Sequence, residues 1–156
     1  MTPRLASPAD WPSIRTLLET AALPTTDLAP RDVQHFLVVT EAEEVIGCVA
    51  VEPHGDWGLL RSLAVAEFTR GRGVGGTLVD AAVDRARFDG MDHLALLTET
   101  AEPFFAARGW TRVSRDTVPE AVRQSSEFSG TCCASAVCLT RPLAETTAQG
   151  KATSPA

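Results

Sequence analysis

One short segment limits the architectures open to this chain more than any other. It is Leu63-Ala64-Val65-Ala66-Glu67-Phe68-Thr69-Arg70-Gly71-Arg72-Gly73-Val74-Gly75-Gly76-Thr77-Leu78, an apolar run, a glycine-rich turn and the start of an amphipathic pattern. Four of the chain's 11 glycines fall within its last stretch, at positions 71, 73, 75 and 76. Glycine permits positive φ and close backbone approach, and the first turn of a helix exposes amide N–H groups carrying partial positive charge. A strand, a glycine turn and a helix N-terminus therefore make a cradle for phosphate, to which Arg70 and Arg72 add full charges. Any fold for this chain has to place a strand before the turn and a helix after it.

The spacing alone does not identify the phosphate. Gly71-x-Gly73-x-x-Gly76 satisfies the dinucleotide fingerprint, but about 65 residues precede it and only one clear central strand follows the helix, which is poor context for a dinucleotide-binding domain. A nucleotide P-loop needs Lys-Ser or Lys-Thr after its last glycine, whereas Thr77-Leu78 stands here.

Composition narrows the chemistry. The length of 156 residues suits one domain, read as residues 1–142 with a polar tail over 143–156, and 44% hydrophobic with 22% charged residues is the balance of a soluble globular protein. A net charge of −6 argues against a nucleic-acid partner, which would need a basic face. No apolar run resembles a signal peptide or a membrane span, so a cytoplasmic protein without a membrane partner is expected. Tyrosine is absent, which removes any phenolic proton donor, and the single lysine, Lys151, lies in the polar tail, a poor setting for Schiff-base chemistry. Cys48, Cys132, Cys133 and Cys138 lack paired zinc-site spacing, so buried free thiols and no bound metal are expected. Cys132, Cys133 and Cys138 together pose a separate hypothesis, capture of a soft thiophilic species such as trivalent arsenic.

Periodicity supplies the remaining elements. Ile14, Leu17, Leu18 and Ala21 share one face of a first helix over residues 9–22, with Ser7 as cap and Pro8 in its first turn. Phe36 to Val39 and Val45 to Val51 read as hairpin strands around an acidic turn, and Gly58 to Ala66 as a third, giving an antiparallel meander. Val74, Leu78, Ala82 and Ala86 mark a helix stopped at Gly90, and His93 to Thr98 a central strand. A short helix over Glu102 to Arg108 ends at Gly109, a strand begins at Trp110, residues 116–130 are irregular or partly helical, and Cys132 to Leu139 close the sheet.

Arg70-x-x-Gly73-x-Gly75 after Leu63-Ala64-Val65 resembles the acetyl-CoA pyrophosphate motif of the GNAT N-acetyltransferase superfamily. The resemblance covers residues 1–142. It implies an α/β fold of mixed α+β type, a mixed, mostly antiparallel twisted sheet of six or seven strands with helices on both faces, in the order β-α-α-β-β-β-α-β-α-β-β. Acetyl-CoA would be the co-substrate. Its pyrophosphate would lie on Arg70, Gly71, Arg72, Gly73, Val74, Gly75, Gly76 and Thr77, and its pantetheine arm along Leu63, Ala64 and Val65, facing the strand that ends at Thr98. Many relatives are dimers, so a homodimer is compatible with the resemblance. Leu60-Arg61-Ser62-Leu63, Leu96-Leu97-Thr98, Pro103-Phe104-Phe105, Gly109-Trp110, Val118-Pro119 and Glu127-Phe128 through Cys132 to Ser135 resemble the amino-acid acetyltransferase branch related to N-acetylglutamate synthases, and within it the enzymes of bacterial arsenic-resistance loci. The family favours Pro after its C-terminal cysteine, where this chain has Cys133.

Acetyl transfer needs a deprotonated amine, a stabilised oxyanion and a departing thiolate. Backbone N–H groups near Val65 suit the oxyanion, Glu52 is the preferred base and His54 its alternative. Arg61, an arginine within an apolar strand, either grips a substrate carboxylate beside Ser62 or forms an internal salt bridge. The family's thiolate-protonating tyrosine falls at Phe105, leaving water or Ser62 as the proton source. The acceptor expected is a small-molecule amine, an amino acid or a toxic analogue. The rivals are a protein amine as acceptor and a non-enzymatic CoA-binding or metalloid-binding sensor.

Overall fold

The computed structural model describes residues 1–131 and 135–143. In chain order, β1 is Arg4–Leu5, α1 Trp11–Thr20, β2 Phe36–Glu41, β3 Glu44–His54, β4 Trp57–Val65, α2 Val74–Phe88, β5 His93–Thr98, α3 Glu102–Ala106, β6 Thr111–Val113, α4 Glu120–Arg123 and β7 Val137–Pro142. The sheet order is β1-β2-β3-β4-β5-β7-β6. This is the mixed, mostly antiparallel sheet expected from the sequence, but of the two helices expected before β2 only α1 forms, the second being the 3₁₀ segment Pro30–His35, and α4, absent from the expected order, falls between β6 and β7.

The chain forms two compact units. Met1–Glu52 with Leu60–Asp84 makes the first, and Pro53–Leu59 with the chain from Arg85 onward makes the second. In the first, β1 and β3 both pair antiparallel with β2. The acidic turn between β2 and β3 is only two residues, Ala42 and Glu43, both left-handed at φ 52° and 65°, the backbone that a tight two-residue hairpin demands. β3 is followed directly by the two-residue turn Gly55-Asp56, so the neighbouring β4 runs antiparallel to it. Ile14 and Leu18 of α1, spaced by four, are fully buried against Phe36, Val38, Cys48, Ala50 and Ala64. The alternate residue of β3, Gly47, faces the other way: a Cβ built there would come within 2.8 Å of Val74 and 2.9 Å of Leu78, so α2 packs on the opposite face of that strand from α1. Before α1, Ser7 N and Oγ donate to Asp10, whose carboxylate also accepts two bonds from Arg4.

In the second unit, Trp57–Leu59 of β4 pair in parallel with His93–Ala95, and β7 pairs antiparallel with both β5 and β6. Ala95, Leu97, Val118, Val122, Ala136 and Cys138 form its buried apolar cluster. β7 starts at Val137, later than the strand expected from Cys132, and its outer residues Arg141 and Pro142 pair with Leu94 and His93. Leu143, assigned to the tail by composition, is buried, and its amide donates to Asp92 O at 2.8 Å. Cys132, Cys133 and residues 144–156 lie outside the described residues.

Candidate active site

The glycine turn is built by its own hydrogen bonds. Beyond β4, Ala66 N donates to Ile46 O at 2.8 Å, and the buried Thr69 donates through both its amide and its hydroxyl to Ala66 O, closing a single 3₁₀ turn over Glu67–Thr69. Gly71 and Gly73 then take φ of 86° and 82°, where a Cβ is disfavoured. Thr77 N donates to Gly73 O, but among the described residues the amides of Gly71, Gly73, Val74, Gly75 and Gly76 donate to no backbone carbonyl. These are the unpaired amides of a helix start, concentrated where glycines leave room for a ligand. Val74 is buried while Gly75 and Thr77 stay half-exposed, so the helix is seated through Val74 and Leu78 against Gly47. Arg70 is exposed, whereas Arg72 forms a half-exposed bidentate pair with Glu41, at 2.5 and 3.3 Å. That pair pulls the Glu41 carboxyl below its ordinary range and raises Arg72.

Upstream on β4, Ser62 sits in the left-handed region at φ 59°, an expensive conformation for a residue with a Cβ and one found disproportionately at functional sites. It interrupts the pleat just before Leu63, Ala64 and Val65. Ala64 is buried, and Leu63 and Val65 are half-buried. Ser62 O accepts a weak bond from Cys48 Sγ at 3.5 Å, and burial pushes that thiol up to about 12.

Of the two partners offered for Arg61, the structure shows the internal one. Its guanidinium is fully buried, and its nitrogens donate to Asp27 at 2.5 and 3.0 Å, to Glu52 Oε2 at 3.2 Å and to Ser62 Oγ at 3.2 Å. A buried cation is tolerated only when paired and hydrogen-bonded, and these contacts meet that demand. Arg61, Ser62 and Glu52 are thus brought together. Asp27, 34 residues away in the loop after α1, joins the group and was not singled out from the sequence. Its only advance signal was the need of a lone strand arginine for an anion. His54 stands two residues beyond Glu52 on β3 and is half-buried.

In the second unit, Phe105 is buried at the end of α3, edge-on to Phe104 and to Trp110, with ring centroids 5.0 and 5.4 Å apart. Thr98 ends β5 and its Oγ1 accepts from Ala101 N at 3.0 Å, so the hydroxyl caps the turn into α3. Cys138 belongs to the apolar cluster, where burial raises its thiol to about 11. Among the described residues no group of three or more His, Cys, Asp or Glu side chains is arranged to hold a metal ion, and no helix is long and apolar enough to cross a membrane.

The model of the acetyltransferase (GNAT) family matches residues 6–112, more than half of the chain. The chain belongs to the GNAT acetyltransferase family. It is 34% identical over 95 residues to the amino-acid acetyltransferase of Ralstonia nicotianae, covering 60% of this chain and 21% of that one. It is 28% identical over 100 residues to the amino-acid acetyltransferase of Neisseria meningitidis, covering 63% and 23%. This GNAT chain therefore spans about a fifth to a quarter of the length of the curated relatives it matches. Among solved structures, the N-acetylglutamate synthase of Neisseria gonorrhoeae complexed with coenzyme A and N-acetyl-glutamate superposes with a TM-score of 0.79 at 26% identity, over 91% of this chain and 35% of that one. A Mycobacterium tuberculosis protein in complex with CoA gives 0.79 at 25% identity, over 92% and 99%. A GNAT acetyltransferase of Staphylococcus aureus shares the fold, with a TM-score of 0.72 at 11% identity.

Proposed function

We propose that this GNAT chain transfers acetyl from acetyl-CoA to the amine of a small molecule, an amino acid. The observation that carries the reading is the row of amides at Gly71, Gly73, Val74, Gly75 and Gly76, which no backbone carbonyl takes among the described residues. It is the donor set a pyrophosphate requires. The amino-acid acetyltransferases of Ralstonia and Neisseria and the CoA-bound structures support the same reading.

The amide row and Arg70 hold the pyrophosphate, with Arg72 adding charge from its pair with Glu41. Backbone along Leu63, Ala64 and Val65 aligns the pantetheine arm. Glu52 takes the proton of the incoming ammonium. The amine nitrogen then bonds to the thioester carbonyl carbon, the Val65 N–H stabilises the oxyanion, and the C–S bond breaks with its electron pair leaving on sulfur. Phe105 has no proton to give. With a thiol pKa near 8.5 the leaving thiolate is only modestly basic, and water or the Ser62 hydroxyl supplies the proton.

The finer proposal, detoxification of arsenic-containing amino acids in the cytoplasm, rests on the sequence resemblance described above. The test is release of free CoA thiol from acetyl-CoA against a panel of amino acids, glutamate analogues, arsenic-containing amino acids and a peptide amine. Release with amino acids supports the reading, release confined to the peptide favours a protein acceptor, and CoA binding without release on any amine overturns it. Glu52→Gln should lower turnover by about 10²–10⁴.

A further inference from the structure

The contacts of Arg61 are unequal. Asp27 holds both terminal nitrogens at 2.5 and 3.0 Å, whereas Glu52 takes a bond from Nη1 at 3.2 Å. Bidentate pairing is the stronger geometry, so the guanidinium is committed first to the loop carboxylate. The side chains of Arg61, Asp27 and Glu52 are 0%, 13% and 18% exposed, so water screens these charges weakly. One guanidinium cation faces two carboxylates. A carboxylate alone with a buried guanidinium loses basicity, whereas one sharing it with a second carboxylate keeps more.

We propose that Asp27 is a positioning residue for acetyl transfer: it occupies Arg61 through both terminal nitrogens, so that the Nη1 N–H orients Glu52 while the carboxylate stays basic enough to accept the proton of the amine. The same two bonds tie the loop after α1 to β4 beside the left-handed Ser62. Arg61 from β4 stands beside Glu52, with Asp27 from the loop behind it. His54 stands two residues on along β3 itself. This inference rests on Glu52 being the base.

The test compares pH profiles of kcat and kcat/KM for the parent, Asp27→Asn, Asp27→Glu, Glu52→Gln and the Asp27→Asn/Glu52→Gln double variant, each checked for folding by thermal unfolding. Asp27→Asn hands Arg61 to Glu52. The acidic limb should move about one pH unit lower and plateau kcat should fall about three- to tenfold, because a weaker base removes protons more slowly. KM for acetyl-CoA should stay within about twofold, Asp27→Glu should recover much of the loss, and Asp27→Asn should add nothing once Glu52 is Gln. A loop anchor with no electrostatic role would raise KM or lower the melting temperature and leave the limb in place, and that result overturns the proposal alone. A Glu52→Gln enzyme within about threefold of the parent overturns the base reading, and the proposal with it.

Discussion

Gly47 lies in the middle of β3 with no left-handed backbone to explain it, and its substitution tests how the phosphate cradle is seated. A Cβ there would stand 2.8 Å from Val74 Cγ1 and 2.9 Å from Leu78 Cδ1, with Ala64 O at 3.5 Å. Ordinary carbon contacts begin near 3.5 Å, so Gly47→Ala intrudes by about 0.7 Å. Val74 is β-branched with one strongly preferred helical rotamer, and both side chains are almost wholly buried, so neither can swing clear. Relief must come from α2 lifting off the strand. Overpacking of this kind costs about 1–3 kcal/mol, which for a chain of this size lowers the melting temperature by about 4–8 °C at the middle of that range. The lifted turn carries the amides of Val74, Gly75 and Gly76, so CoA affinity should fall about tenfold, the equivalent of about 1.4 kcal/mol. Thermal unfolding and calorimetric titration with CoA measure the two effects on one sample. Gly47→Ala with Val74→Ala should recover a large part of both. A Gly47→Ala variant with parental melting temperature and parental CoA affinity would refute the packing argument.

Further outcomes follow from the same contacts. Gly73→Ala forces a Cβ into φ 82°, and should cost about 1–2 kcal/mol of stability and weaken CoA binding by at least tenfold, measured by denaturant unfolding and titration. Hydrogen bonding to Arg4 holds the Asp10 carboxyl down at about 2 against an ordinary 3.8. A lowered acid stabilises the fold above its unfolded pKa, so about 2 kcal/mol should be present above pH 4 and lost between about pH 4 and pH 2. The gap between parent and Asp10→Asn in urea midpoint should close over that window. Cys48, with its thiol near 12, should resist alkylation at pH 8 in the native protein and react only at the rate of unfolding, followed by mass spectrometry.

Much of this architecture is readable from local pattern. β5 was expected from the run His93 to Thr98, and α2 from four-residue spacing, because each buries a continuous apolar surface that periodicity records. The glycine turn was legible because positive φ at Gly71 and Gly73 leaves a mark on composition. What escaped was non-local or against type. Nothing near Arg61 in the chain announces Asp27, whose pairing depends on how a loop returns over β4. Ser62 takes a glycine-like φ without being glycine, a strain held by its surroundings. Gly47 lies within the run Val45 to Val51, and a glycine inside a strand often marks a close approach, here to Val74 and Leu78. β7 begins at Val137, opposite Thr98 at the end of β5, while Cys132 and Cys133 of the expected strand lie outside the described residues.

In the proposed reaction an amine becomes acetylated at the expense of the CoA thioester. The direct measurement is mass spectrometry of a reaction containing the protein, acetyl-CoA and the amino acid that gives most thiol release. The expected result is N-acetylated amino acid in one-to-one ratio with free CoA, abolished when the amine is omitted. Recovery of the acetyl group only as acetate, or as unconsumed thioester beside a CoA-saturated protein, would contradict it.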